Sequence, residues 1–319
     1  MKNILVVRTD RIGETLLSTP VAAALKDEFP SGRVSMMVNP VARELIEGQP
    51  SIDKVVVYKP DAKRVKEIMA LRKAFKGHDA VFVLNPRKEF HAAAFLAGIP
   101  IRVGYDRKWG ALLTHRAEDR KHEAKKHEVE YNLDLLKQIG ITPKRSTPFI
   151  AVNDRDEEEV GNMLRALDVS EKDLLVAMHP ETSNYLKRWP REYFARLSQL
   201  LIESDIKVVM VSGSEESEFT QSTAFVLKNK PVDLSGKLKL KQLAALLKRC
   251  KVLVSSDSGP VHIASAVGTT VCALFGRQDK GSNPVRWGPY GEGHIIFQED
   301  SLNRIYPDKV FEALKEKLL

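Results

Sequence analysis

Three short segments concentrate side chains that could do chemistry together. The first, Arg8-Thr9-Asp10-Arg11-Ile12-Gly13-Glu14-Thr15, sets two carboxylates and two guanidinium groups around a glycine. A carboxylate so placed can take a proton from a hydroxyl. Glu14 also falls at or near a helix N-terminus, where the dipole favours a negative charge for structural reasons alone. The second, His179-Pro180-Glu181-Thr182-Ser183-Asn184-Tyr185-Leu186-Lys187-Arg188-Trp189-Pro190, combines hydroxyls, a Lys-Arg pair and aromatics ahead of a helix starting near Pro190. That composition suits phosphate binding, and it equally describes an ordinary exposed loop. The third is Ser255-Ser256-Asp257-Ser258-Gly259-Pro260-Val261-His262-Ile263-Ala264. Its small residues leave backbone N–H groups at a helix N-terminus, which attract anions. Asp257 could instead cap that helix, and His262, one turn in, either reaches the same ligand or is a partly buried, hydrogen-bonded histidine.

These segments need elements to hold them, and each follows an apolar run of strand type. Ile4–Val7, Val34–Val38, Val55–Tyr58 and Ala80–Leu84 read as strands, alternating with helices over Thr15–Phe29, Ala42–Glu47, Ala62–Phe75 and Phe90–Leu96. A basic, aperiodic stretch from Arg102 to Lys126 precedes a helix over Val129–Ile139. Gly140–Asn153 reads as a linker. The alternation then restarts, with strands at Leu174–Met178, Lys207–Val211, Val252–Ser255 and Thr270–Phe275. Helices are expected at Asp156–Leu167, Arg191–Ile202, Phe219–Lys228, Lys241–Lys248, Val261–Val267 and Pro307–Leu319. Fully apolar strands alternating with helices predict parallel sheets covered on both faces. The expected class is α/β: two doubly wound domains, 1–152 and 153–319, facing each other across a cleft. Whether the closing helix packs back on the first domain is left open. All three segments fall at carboxyl ends of strands, where such sheets bind ligands.

The chain has 319 residues, 43% hydrophobic and 29% charged, which suits two globular domains and excludes a disordered or collagen-like chain. No apolar run approaches the roughly 18–20 residues of a membrane span. The N-terminal apolar run is too short for a signal peptide, so a cytoplasmic protein is expected. Cys250 and Cys272 sit beside apolar stretches and read as buried free thiols. The net charge of +8 is uneven: residues 1–150 hold 27 Lys and Arg against 18 Asp and Glu, and the remainder is close to neutral. A basic first half suggests an anionic partner or a solvated lysine-rich surface.

Other motifs fail. The turn after the first strand has one glycine and no G-x-G-x-x-G for a dinucleotide. Gly276 and Gly281 have P-loop spacing, but Ser282 stands where the lysine belongs. His122, Glu123 and His127 miss the zinc-binding spacing by one residue. No nucleic-acid recognition motif accompanies the positive charge.

Taken together, Arg-x-x-x-Ile-Gly-Glu…Thr-Pro, Lys-Arg-Trp-Pro and Ser-Asp-Ser-Gly-Pro-x-His-x-Ala…Leu-Phe-Gly resemble family 9 glycosyltransferases, the ADP-heptose:lipopolysaccharide heptosyltransferases, over essentially the whole chain. The resemblance implies a GT-B fold and an inverting, metal-independent transfer of L-glycero-D-manno-heptose to the lipopolysaccharide inner core. It implies no cofactor, ADP-heptose being a substrate. By the same resemblance Glu14 is the catalytic base and Lys187 neutralises the pyrophosphate. Thr182 and Ser183 contact phosphate, and Asp257, Ser258, Gly259 and His262 form the nucleotide-diphosphate motif. Leu238 lies against adenine and Glu216 binds ribose, with Glu215 and Glu218 equally placed. Where the family usually carries Asp, this chain has Glu14, whose carboxylate reaches about 1.5 Å further; Asp10 is therefore an alternative base.

Charge and domain location nominate Arg11, Lys63, Arg64, Arg87, Lys88, Arg107 and Arg120 for the phosphates and acidic sugars of a glycolipid acceptor, met at the inner leaflet of the inner membrane. Two other readings are a GT-B transferase using another nucleotide sugar, and a nucleic-acid-binding protein on a degenerate transferase fold. Retention of Lys187, Asp257 and His262 argues against the latter, and nucleic acid is not an expected partner.

Overall fold

The computed structural model describes residues 1–182, 184–213, 230–276 and 283–318. Ser183, Glu215, Glu216, Glu218, the helix expected over Phe219–Lys228 and residues 277–282 lie outside the described residues. The chain divides into two compact units, Met1–Ala151 and Val152–Leu319.

The first unit runs β1 (Asn3–Val7), α1 (Ile12–Leu16), α2 (Thr19–Glu28), β2 (Arg33–Val38), α3 (Arg43–Ile46), β3 (Lys54–Val57), α4 (Arg64–Phe75), β4 (Ala80–Val83), α5 (Lys88–Leu96), β5 (Ile101–Tyr105), β6 (His115–Ala117) and α6 (Glu128–Lys137). Its strands are all parallel, in the order β3-β2-β1-β4-β5-β6. The inner strands are apolar because both faces are covered: on one, Leu5, Val7, Val81 and Val83 pack with Leu71, Phe75 and Phe90, and on the other Ile4, Val6, Ala80 and Phe82 are equally buried.

The second unit runs α7 (Asp154–Arg165), β7 (Leu175–His179), α8 (Arg191–Glu203), β8 (Lys207–Met210), β9 (Val232–Asp233), α9 (Leu240–Arg249), β10 (Val252–Ser256), α10 (Gly259–Ala266), β11 (Thr270–Phe275), α11 (Pro284–Trp287), β12 (Ile295–Gln298) and α12 (Pro307–Leu318). The sheet is again parallel, ordered β9-β8-β7-β10-β11-β12. Both sheets therefore reverse their winding once, between β1 and β4 and between β7 and β10. Such a switch point opens a crevice beyond the carboxyl ends of the two strands beside it. The closing helix α12 packs on α8 within its own unit, with Val310, Phe311 and Leu314 against the cluster of Trp189, Phe194 and Leu197.

Two expectations need correction. The helix expected over Thr15–Phe29 is two helices, because Pro20 has no N–H to donate and its ring clashes with the preceding turn. The hydroxyls of Ser18 and Thr19 occupy the freed carbonyls of Glu14 and Leu16, each at 2.8 Å. The aperiodic stretch Arg102–Lys126 contains most of β5 and all of β6. Edge strands are short and carry charge because only one side is paired. The edge strands of the second sheet were not expected either: β9 is two residues long, and β12 carries an apolar run of only three, Ile295–Phe297.

Candidate active site

The register of β7 against β10 sets His179 opposite Ser255. Burial pushes the His179 imidazole down to about 4, so at neutral pH it is an uncharged hydrogen-bonding post. Its Nδ1 lies 3.2 Å from Ser255 Oγ and 3.4 Å from Ser258 Oγ, and the two hydroxyls are 2.9 Å apart. Ser258 occupies the N-cap of α10, but its hydroxyl is turned toward the strand ends and makes no capping bond. The first-turn N–H groups of α10 therefore gain no side-chain acceptor from the cap. Asp257 does not cap the helix either; its Oδ2 accepts from Lys187 Nζ at 2.5 Å. Gly259 has no left-handed φ, and a Cβ built on it meets nothing within 4 Å. The fold itself thus does not require glycine there.

Each residue of Lys-Arg-Trp-Pro has a separate task. Trp189 is fully buried, its Nε1 donates to Ile305 O at 2.8 Å, and its ring meets Phe194 edge-on at 4.8 Å. Arg188 reaches back to the buried Glu181 at 2.8 Å and to the Thr182 carbonyl at 3.3 Å. Asn184 caps the short turn Tyr185–Lys187 by accepting from Leu186 N at 3.1 Å. Pro190 sits at the N-cap of α8. The loop is thus anchored at both ends, and Lys187 projects from it to the loop after β10. Thr182 is buried, with its hydroxyl donating to Asn184 O at 2.5 Å. His262 is buried one turn into α10, and Leu238 is half-buried in the loop leading to α9. Thr182, Lys187, Asp257, Ser258 and Gly259 thus gather on the loops at one switch point. Ser183 and Glu216 lie outside the described residues.

In the first unit, Arg8 leaves the end of β1 and is buried. Its Nε donates to Asp10 at 2.7 Å, and one terminal nitrogen donates to Glu128 at 2.9 Å and Asn132 at 3.2 Å. Glu128 is fully buried and also accepts from Lys121 at 2.5 Å. Burial opposes the charge on Arg8, but Asp10 and Glu128 outweigh it and hold the guanidinium above its ordinary value. Glu14, in the first turn of α1, makes no salt bridge among the described residues. Burial, and then the negative charge of Asp10, push its carboxyl above the ordinary glutamate range, against the opposing pull of Arg8 and Arg11. A higher carboxyl value means a stronger base. Asp10 is paired with Arg8, whereas Glu14 is partly buried with its carboxyl raised.

Four of the nominated basic residues are already engaged by carboxylates: Arg64 with Glu89 at 3.1 Å, Arg87 with Glu67 at 3.2 Å, Arg107 with Asp119 at 2.7 Å and Arg120 with Glu123 at 2.7 Å. Arg87 also donates to the Tyr58 hydroxyl. Arg11 is exposed at the N-cap of α1 and Lys63 at that of α4, while Lys88 lies over the Trp109 ring at 5.5 Å. Neither Lys63 nor Lys88 has a carboxylate partner among the described residues. His127 caps α6, accepting from Val129 N at 3.2 Å.

Sequence reasoning missed His179, Glu181 and Glu128 as parts of this machinery. His179 and Glu181 had a signal: titratable residues closing an apolar strand where burial continues. Glu128 had none, because its partner Arg8 is 120 residues away.

The sequence profile of glycosyltransferase family 9 (heptosyltransferase) matches residues 68–313. Lipopolysaccharide heptosyltransferase 3 of Escherichia coli K12 is 26% identical over 300 residues, covering 89% of this chain and 84% of its own. The crystal structure of a family 9 glycosyl transferase from Veillonella parvula superposes with a TM-score of 0.90 at 23% identity, covering 99% of this chain and 97% of its own. The E. coli heptosyltransferase WaaC with ADP superposes with a TM-score of 0.78 at 20% identity, covering 99% of both chains. The fold is that of the GT-B heptosyltransferases. With more than two thirds of its length matched by the profile, the chain belongs to glycosyltransferase family 9, the heptosyltransferases.

Proposed function

We propose that this protein transfers L-glycero-D-manno-heptose from ADP-heptose to the inner core of lipopolysaccharide, with inversion and without a metal ion. The observation that carries the reading is the Lys187–Asp257 pair, which joins the two loops at the second switch point beside the uncapped N-terminus of α10. A diphosphate seated there would meet one cation, first-turn N–H groups and the open space beside Gly259. WaaC, in a structure with ADP, shares the fold, which supports an adenine nucleotide.

In the reaction an acceptor hydroxyl oxygen attacks the anomeric carbon as the bond to the diphosphate breaks. Glu14 takes the hydroxyl proton, which typically contributes about 10²–10⁴ in rate. Negative charge builds on the departing phosphate oxygen, and Lys187 with the α10 N–H groups stabilises it in place of a metal. Asp257 keeps the lysine aimed. Attack opposite the leaving group inverts the centre. The acceptor's own phosphates and acidic sugars are assigned to the basic first unit, with Lys63, Lys88 and Arg11 the nominated cations that make no salt bridge among the described residues. We further assign the protein to the cytoplasmic face of the inner membrane; no described helix is long and apolar enough to cross it.

The test is incubation with ADP-heptose and a panel of truncated core acceptors, with and without a chelator. The readouts are product mass and anomeric configuration. Calorimetry with ADP, UDP and GDP runs alongside. A heptosylated, inverted product formed in chelator supports the reading. A clear preference for UDP would replace the donor with another nucleotide sugar.

A further inference from the structure

Between residues 63 and 76 the chain carries six basic residues, Lys63, Arg64, Lys66, Arg72, Lys73 and Lys76, and a single acid, Glu67. All six cations are exposed. Glu67 is turned inward, 4% exposed, and is held by Tyr58 and Arg87. The outer surface of α4 therefore shows no carboxylate of its own; Asp61, just before it, pairs with Lys66 at 3.2 Å. Among these cations stand two uncovered apolar side chains one turn apart, Val65 (76% exposed) and Met69 (50%). The neighbouring helix adds Phe95 and Leu96, each about half exposed. Arg72 Nε donates to Leu96 O at 3.0 Å and ties the two helix ends together.

We propose that α4, with the C-terminal end of α5, docks the first unit on an anionic lipid bilayer. A lysine-rich rim around a few exposed aliphatic and aromatic side chains matches a surface with phosphate headgroups outside and hydrocarbon beneath. The phosphates of a nucleic acid would match the cations but leave Val65, Met69, Phe95 and Leu96 without a use. The placement also suits a lipid-held acceptor. α4 follows β3, so Lys63, Arg64 and Val65 lie at the carboxyl edge of the first sheet, where the turn carrying Glu14 also lies, and the patch extends along the helix to Arg72, Lys73, Lys76 and the end of α5 at the opposite edge. The inference takes from the proposed function only the reason for meeting a membrane.

The test is flotation of the full chain with vesicles of phosphatidylcholine alone, or of equal parts phosphatidylcholine and phosphatidylglycerol. Binding is expected to the mixed vesicles only and to weaken with salt. The triple variant Lys66→Glu, Lys73→Glu, Lys76→Glu removes charges worth about fivefold each, so partitioning should fall by at least roughly a hundredfold. The double variant Val65→Asp, Met69→Asp should also lower it, and all five positions are exposed enough to leave the thermal midpoint unchanged. Parent-like binding by the triple variant, equal binding to neutral vesicles, or tighter binding to duplex DNA than to mixed vesicles would each overturn the proposal. Vesicle binding is read without any activity, so it fails or succeeds separately from the transferase reading.

Discussion

Lys187 Nζ lies 2.5 Å from Asp257 Oδ2, and this contact spans 70 residues to join the loops after β7 and β10. It gives the two loops a charge-neutral pair. Without Asp257 the lysine would be a flexible, strongly hydrated point charge. Lys187→Ala should lower kcat by about 10²–10³, the usual cost of removing one stabilising donor from a developing oxyanion. Asp257→Asn should do less to kcat and more to ADP affinity. Steady-state kinetics and calorimetry with ADP separate the two.

The two candidate bases can be told apart by pH. Glu14 must be ionised to accept a proton, and its carboxyl is raised by burial and by Asp10. The acid limb of kcat/KM should therefore lie above the ordinary glutamate range. Glu14→Gln should lower turnover by about 10²–10⁴ while leaving ADP binding nearly unchanged. Asp10→Asn removes the neighbouring negative charge, so the carboxyl of Glu14 falls and the acid limb moves to lower pH, with activity retained. If Asp10→Asn abolishes turnover and Glu14→Gln does not, Asp10 is the base.

Gly259 offers a test in which stability and binding part company. A Cβ there meets no protein atom within 4 Å, and the residue begins a helix. Gly259→Ala should leave the thermal midpoint unchanged or slightly raised. If a diphosphate sits against this backbone, the same methyl should weaken ADP by roughly tenfold, about 1.4 kcal/mol. Unaltered ADP affinity would place the diphosphate elsewhere.

His179 links the site to acid stability. The unfolded chain takes up this proton near 6.5, whereas the folded chain resists until about 4. Between those values the unfolded state binds more protons, so stability rises with pH and is lost on acidification through this window. The loss is on the order of 3 kcal/mol. Urea unfolding should show a steeper acid decline for the parent than for His179→Gln.

Glu128 is buried under two cations, Arg8 and Lys121. Glu128→Ala would leave both without their shared carboxylate and should cost about 3–5 kcal/mol in urea unfolding. Glu128→Gln keeps one acceptor oxygen and the side-chain shape, replacing the other oxygen with an NH2 group, and should cost less.

Much of this protein was legible in one dimension. Ile4–Val7, Val252–Ser255 and Thr270–Phe275 announced a doubly wound fold because inner parallel strands are buried on both faces and must be apolar along their whole length. The motif around Ser258, Gly259 and Pro260 was legible for a similar reason, since small residues and a first-turn proline are local backbone requirements. The edge strand His115–Ala117 was not, because three residues, two of them His and Arg, leave no apolar run to read. Nor could sequence say that Asp257 would bind Lys187 instead of capping α10, or that Glu128 would lie beneath Arg8. Those choices depend on which strand ends the crossovers bring side by side, and on how far burial raises the cost of a charge left without a partner. Local pattern set the elements and the chemical types; the tertiary arrangement decided which side chains became partners.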